Sequence, residues 1–193
     1  GSHDRTSLPG RVRWNMSPSW QGLNAQVKAD CCTQQAIALG VKPLWGGMQI
    51  KVAHLQADLP AKLLEGLGAP WNTLQPQGRL SLASQGVTIR WLNGRAMLAG
   101  QASFTAADMS SRVSPLKPLG TYVFEITGGD SPSVALTTQG NSPLRLSGSG
   151  QWVGSGLRFS GVAEAAPGHE AQLTNLLTLI GRRSGTRSII TVG

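Results

Sequence analysis

Only two cysteines occur among the 193 residues, and they are neighbours, Cys31 and Cys32. Adjacent cysteines cannot staple distant parts of a chain. A disulfide framework is therefore excluded, and the pair is either two free thiols or a vicinal ring. Histidine is nearly as scarce, with only His3, His54 and His169. Without a C-x-x-C or H-x-x-x-H spacing no zinc-type ligand set can be assembled, so no metal and no cofactor are expected. The nine acidic residues stand singly, which leaves no carboxylate pair for acid–base work. Asp58 and Asp130 read as turn or helix-start residues. G-x-S-x-G, G-x-G-x-x-G and Walker A spacings are absent, and with no convergent set of groups no catalytic residue is expected.

Long apolar runs are missing too. No stretch approaches the roughly 20 consecutive apolar residues that cross a bilayer, and no signal-peptide core is present. Only 13% of residues are charged, yet Lys and Arg outnumber Asp and Glu 17 to 9, for a net charge of +8 and a pI near 10.5. The basic residues are dispersed, Arg182-Arg183 being the only adjacent pair. No zinc-finger, helix-turn-helix or RNA-recognition signature accompanies them, so nucleic acid is not an expected partner. Weak attraction to an anionic lipid surface remains compatible with this charge. Arg182, Arg183 and Arg187 cluster within six residues. They are a candidate contact surface, expected just past a helix C-terminus, where cations also complement the helix dipole.

What is abundant is glycine, 25 residues, set among alternating apolar and polar positions. Tyr122, Phe124 and Ile126 fall on one face. Leu144 and Leu146 flank Arg145, Leu157 and Phe159 flank Arg158, and Val87, Ile89 and Trp91 repeat the period. Trp45-Gly46-Gly47, Asn93-Gly94, Gly128-Gly129-Asp130 and Gly154-Ser155-Gly156 separate these runs as turns, so antiparallel hairpins are expected. Two segments leave the pattern. Leu173, Leu176, Leu177 and Ile180 follow i, i+3, i+4, i+7 between Pro167-Gly168 and Gly181, predicting an amphipathic helix on the sheet. Leu59 to Gly68 predicts a shorter helix with Pro60 in its first turn.

Trp152 and Trp45 lie 107 positions apart, as do Leu146 and Leu39, Ile50 and Leu157, and Pro60 and Pro167. The chain thus reads as two copies of strand, strand, strand, helix, strand, in halves about 23–83 and 130–192. Twist bends a sheet of this many antiparallel strands. The expected fold is all-β dominated: a strongly bent antiparallel sheet or incomplete β-barrel with two short helices and an internal repeat.

The order of these features resembles the type II secretion system protein N family. The resemblance runs from Ser19 to the C-terminus. It is carried by Ser19-Trp20-Gln21-Gly22, Leu59-Pro60-Ala61-Lys62-Leu63-Leu64, the Gly78–Leu82 strand, and Leu119-Gly120-Thr121-Tyr122. It continues through Pro143-Leu144-Arg145-Leu146-Ser147-Gly148-Ser149-Gly150, Phe159-Ser160-Gly161-Val162-Ala163, and the ending Leu176-Leu177-x-Leu179-Ile180-Gly181. The resemblance implies a non-catalytic structural or docking component that aids export of folded proteins across the Gram-negative outer membrane. It implies a periplasmic β-rich domain on a single inner-membrane anchor, with other inner-membrane secretion components as partners. On that reading residues 1–3 are a tag remnant, 4–18 a linker from a removed anchor, and 19–193 one domain. The alternative in another class is a lipid- or hydrophobe-binding module with a concave apolar sheet face.

Overall fold

A computed structural model describes residues 11–20, 22–31, 33, 37–67, 71–154 and 156–193. The alternating runs form strands, thirteen of them among the described residues. The first six are β1 (Val12–Ser19), β2 (Gly22–Ala29), β3 (Ile37–Leu44), β4 (Gly47–Val52), β5 (Leu55–Pro60) and β6 (Gln77–Leu92). The rest are β7 (Arg95–Ser110), β8 (Gly120–Gly129), β9 (Ser133–Gln139), β10 (Leu144–Val153), β11 (Gly156–Ala165), β12 (Arg182–Ser184) and β13 (Arg187–Val192). They make one antiparallel sheet in the order β1-β2-β3-β4-β6-β7-β8-β9-β10-β11-β13-β12, with β5 paired to β6 off this path. β1 and β12 end the path without meeting, so the sheet is not closed.

Local chemistry sets the hairpins. Asn93 (φ 52°) and Gly94 (φ 78°) both take positive φ, the requirement of the tight turn whose twist matches the flanking strands. That turn joins two 16-residue strands, β6 and β7. The Gly78–Leu82 and Val87–Trp91 runs, separate in the sequence pattern, are one strand. A register shift between Ser84 and Gly86 takes up an extra residue there.

Three helical segments occur among the described residues: a 3₁₀ segment Ala61–Leu67, α1 (Trp71–Leu74) and α2 (Glu170–Ile180). α2 sits where the 3.6-residue period predicts it. Leu173, Leu176 and Leu177 are 0%, 3% and 1% exposed, packed with Leu80, Tyr122 and Leu136 of the sheet.

Several expectations are corrected. The 59–68 helix begins two residues late, because Leu59 and Pro60 complete β5, opposite Leu80 and Arg79. A proline closing an off-path strand costs little, since no further strand needs its missing N–H. Asp58 is neither turn nor helix start. It lies in β5, where Ser81 Oγ donates to its Oδ1 across the strand pair at 2.8 Å. Part of the expected 4–18 linker is strand: Val12 to Pro18 pair with Ala29 to Leu23 of β2, because Trp14 and Met16 alternate with Arg13 and Asn15. Arg182, Arg183 and Arg187 do follow the C-terminus of α2, as expected, but on strands. Gly181 is extended (φ −167°), and the arginines form the β12–β13 hairpin. Finally, Leu44 pairs Gly47 and Val153 pairs Gly156. The matching tips are thus 109 positions apart (153 − 44), two more than the 107 of the tryptophans. Trp45 is in a turn and Trp152 in a strand.

Candidate interaction surfaces

The two described histidines stand on different segments of the chain. His54 lies exposed between β4 and β5, and His169 Nδ1 is 3.4 Å from Gln172 Oε1 before α2. Among the described residues no three His, Cys, Asp or Glu side chains gather as metal ligands. Cys31 is disulfide-bonded, and Cys32 lies outside the described residues. Tyr122 has a strongly displaced pKa, raised because burial disfavours the phenolate. Its hydroxyl donates to Leu144 O at 2.8 Å, which makes it a clasp between β8 and β10. A groove of about 580 Å³ beside Gln77, Ser111, Arg112 and Lys117 holds no nucleophile–base pair.

The sheet itself offers the larger features, beginning with its N-terminal arm. Cross-strand partners share a face. One row runs Met16, Ala25, Leu39, Val52, Val87. The next runs Pro18, Leu23, Val41, Ile50, Ile89, Leu98. Trp14 faces Val27, and Met48 faces Trp91. On the opposite face Arg13 faces Lys28, Lys51 faces Thr88, and Arg90 Nε donates to Gln49 Oε1 at 3.0 Å. The arm is therefore amphipathic, apolar on one side and polar with excess positive charge on the other.

No residue of β1 to β4 belongs to the main core cluster, whose helices pack on β6, β11, β12 and β13. The apolar side stays partly open: Trp14 is 67% and Met16 52% exposed. Sequence reading caught the alternation and left open whether helix residues fill the apolar face.

The second feature is the pair of sheet ends. β1 is exposed along its whole length, with no strand beyond it among the described residues. At the other end β12 is three residues long and carries two of the predicted arginines. Arg187 pairs with Glu164 across β13 and β11, its Nε 3.2 Å from Oε2, and Arg183 Nη2 donates to Gly185 O at 3.2 Å. All three arginines are exposed on this hairpin, Arg187 partly neutralised, but the register puts Arg182 and Arg187 on one face and Arg183 on the other.

The family model described as type II secretion system, protein N, matches residues 3–190 of this chain. No curated protein and no solved structure matches it. No described helix is long and apolar enough to cross a membrane.

Proposed function

We propose that this chain, which belongs to the type II secretion system protein N family, is the periplasmic docking domain of that apparatus. The family is a non-catalytic component of the type II secretion system and associates with other components of that system. Beyond that membership, the docking reading is supported most by the open sheet. The outer edge of β1 has no partner strand among the described residues, and an unpaired edge is a template for adding a strand from a partner. The domain acts from the periplasmic side of the inner membrane, held by a single-pass anchor, and contacts inner-membrane components during export of folded proteins. Its two halves, 23–83 and 130–192, repeat one plan. The sheet curls toward an incomplete barrel, because residues of β6 to β11 converge with α2 in one core cluster, and a flat sheet does not wrap a helix so fully. Arg182, Arg183 and Arg187 form a further contact surface, for an acidic partner or anionic headgroups.

The test is capture of purified inner-membrane secretion components by the chain, comparing wild type with Met16→Pro. A proline there removes an N–H on β1 without touching the core. Lost capture with an unchanged melting temperature supports edge docking; equal capture by both proteins sinks it.

A second reading is favoured by the uncovered apolar face of β1 to β4. It is a site for a lipid or another hydrophobe. Mass spectrometry of lipid co-purified with the chain decides this, and a lipid-free preparation that takes up no fatty acid counts against it.

A further inference from the structure

Tryptophan is distributed unevenly over this sheet. Because neighbouring strands run antiparallel, the β1–β2, β3–β4, β6–β7 and β10–β11 turns all fall at one end. Each of these hairpins carries a tryptophan at or near its tip. Trp20 follows β1 and is 104% exposed, and Trp45, between β3 and β4, is 100% exposed. Trp91 is two residues before the Asn93 turn and 44% exposed, while Trp152 is half-buried at the last turn-side pairs of β10. Four of the six tryptophans therefore line one rim. Exposed Met48, Met97, Val153 and Val192 lie at the same end.

Charge follows the same rim. Lys42, Arg90, Arg95 and Arg158 are all within three residues of these strand ends and exposed, against Asp130 alone. Packing does not account for Trp20 and Trp45, because a fully exposed indole contributes no burial.

The spacing indicates what covers it. From β2 through β3, β4, β6, β7, β8 and β9 to β10 there are seven strand steps, roughly 34 Å along the sheet at the usual strand separation. A protein partner concentrates its aromatic anchors in a compact central patch. A row of separate indoles spread over several hairpins, three of which carry a cation near the tip, matches a planar interface instead. Indole rings settle at headgroup depth, and anionic headgroups complement the basic flank.

We propose that this rim is a membrane-docking edge, its four tryptophans entering the interface of a bilayer that carries anionic lipid. The rim is where β1 finishes, not where it begins, so the contact is separate from any attachment through chain upstream of β1. The Arg182–Arg187 hairpin lies toward the opposite end, since Arg187 pairs Glu164 near the far end of β11. This proposal does not depend on the secretion partners.

The test is co-sedimentation of the full chain with phosphatidylcholine vesicles, with and without phosphatidylglycerol, for wild type and for Trp20→Ser/Trp45→Ser. Both indoles are solvent-exposed, so the variant keeps the wild-type melting temperature. Wild type is expected to bind the phosphatidylglycerol vesicles, to lose binding at high salt, and to be quenched by brominated lipid. The double variant is expected to bind at least about tenfold more weakly. Absence of wild-type binding, equal binding by the variant, or unquenched emission overturns the proposal. So does a variant that binds vesicles normally but fails to capture a purified secretion component, which would make the rim a protein contact.

Discussion

At the residue scale, Tyr122 shows how one buried polar group ties strands together. Its ring belongs to the core, and its hydroxyl satisfies Leu144 O, where β10 begins. Tyr122→Phe removes the donor and leaves that carbonyl buried, a cost of about 1–3 kcal/mol. The titration adds a pH signature. Burial raises the folded-state pKa above the unfolded value, so the tyrosine's contribution is complete below pH about 10. It is lost as pH rises through that value toward the folded pKa, because only the unfolded chain ionises readily. Denaturant melts should therefore show wild type more stable at pH 7, with the gap to Tyr122→Phe narrowing above pH about 10. A gap constant with pH would mean that Tyr122 ionises equally in both states. Neither the clasp nor the shift is legible in the sequence, since alternation places Tyr122 inside without saying which carbonyl its hydroxyl meets.

At the element scale, α2 was legible and the 3₁₀ segment only in part, for a physical reason. Leu173, Leu176, Leu177 and Ile180 make a stripe that only an α-helix aligns, whereas Gly66 and Gly68 leave too short a run after β5 to settle into one. The Ser147-Gly148-Ser149-Gly150 motif gains its meaning only in three dimensions. A Cβ on Gly148 would lie 2.6 Å from Phe159 Cζ, and one on Gly161 2.9 Å from Cε1, so these glycines make room for an aromatic ring on the strand pair. The packing of α2 yields a direct test. Leu176→Asp places a carboxylate among buried apolar side chains with no partner, costing several kcal/mol, roughly 3–5, and a large share of a domain's stability. Circular dichroism melts should show a much lower transition or an unfolded chain. An unchanged transition would mean that the helix leaves the sheet without penalty.

At the scale of the whole molecule, the two ends of the sheet solve burial differently. From β6 to β13 one face is closed by α2 and the 3₁₀ segment, whereas β1 to β4 extend past that core with their apolar rows only partly covered. A soluble protein keeps so wide an apolar face only when something else covers it. The sequence shows both faces of each strand, but not where the helices stop, because coverage depends on strand order and β6 is followed in space by β4 on one side and β7 on the other. The open arm should therefore behave as surface in the isolated chain. Trp14→Ser/Met16→Ser removes two exposed apolar side chains from its outermost strand. Stability should stay within about 0.5 kcal/mol of wild type, as for other surface positions. Binding of the hydrophobic dye ANS should fall clearly, since these side chains border the rows formed by Leu23, Leu39 and Val41. If instead the double variant melts early, β1 is integral to the core, and the arm is part of the packed body and not a surface held open for a partner.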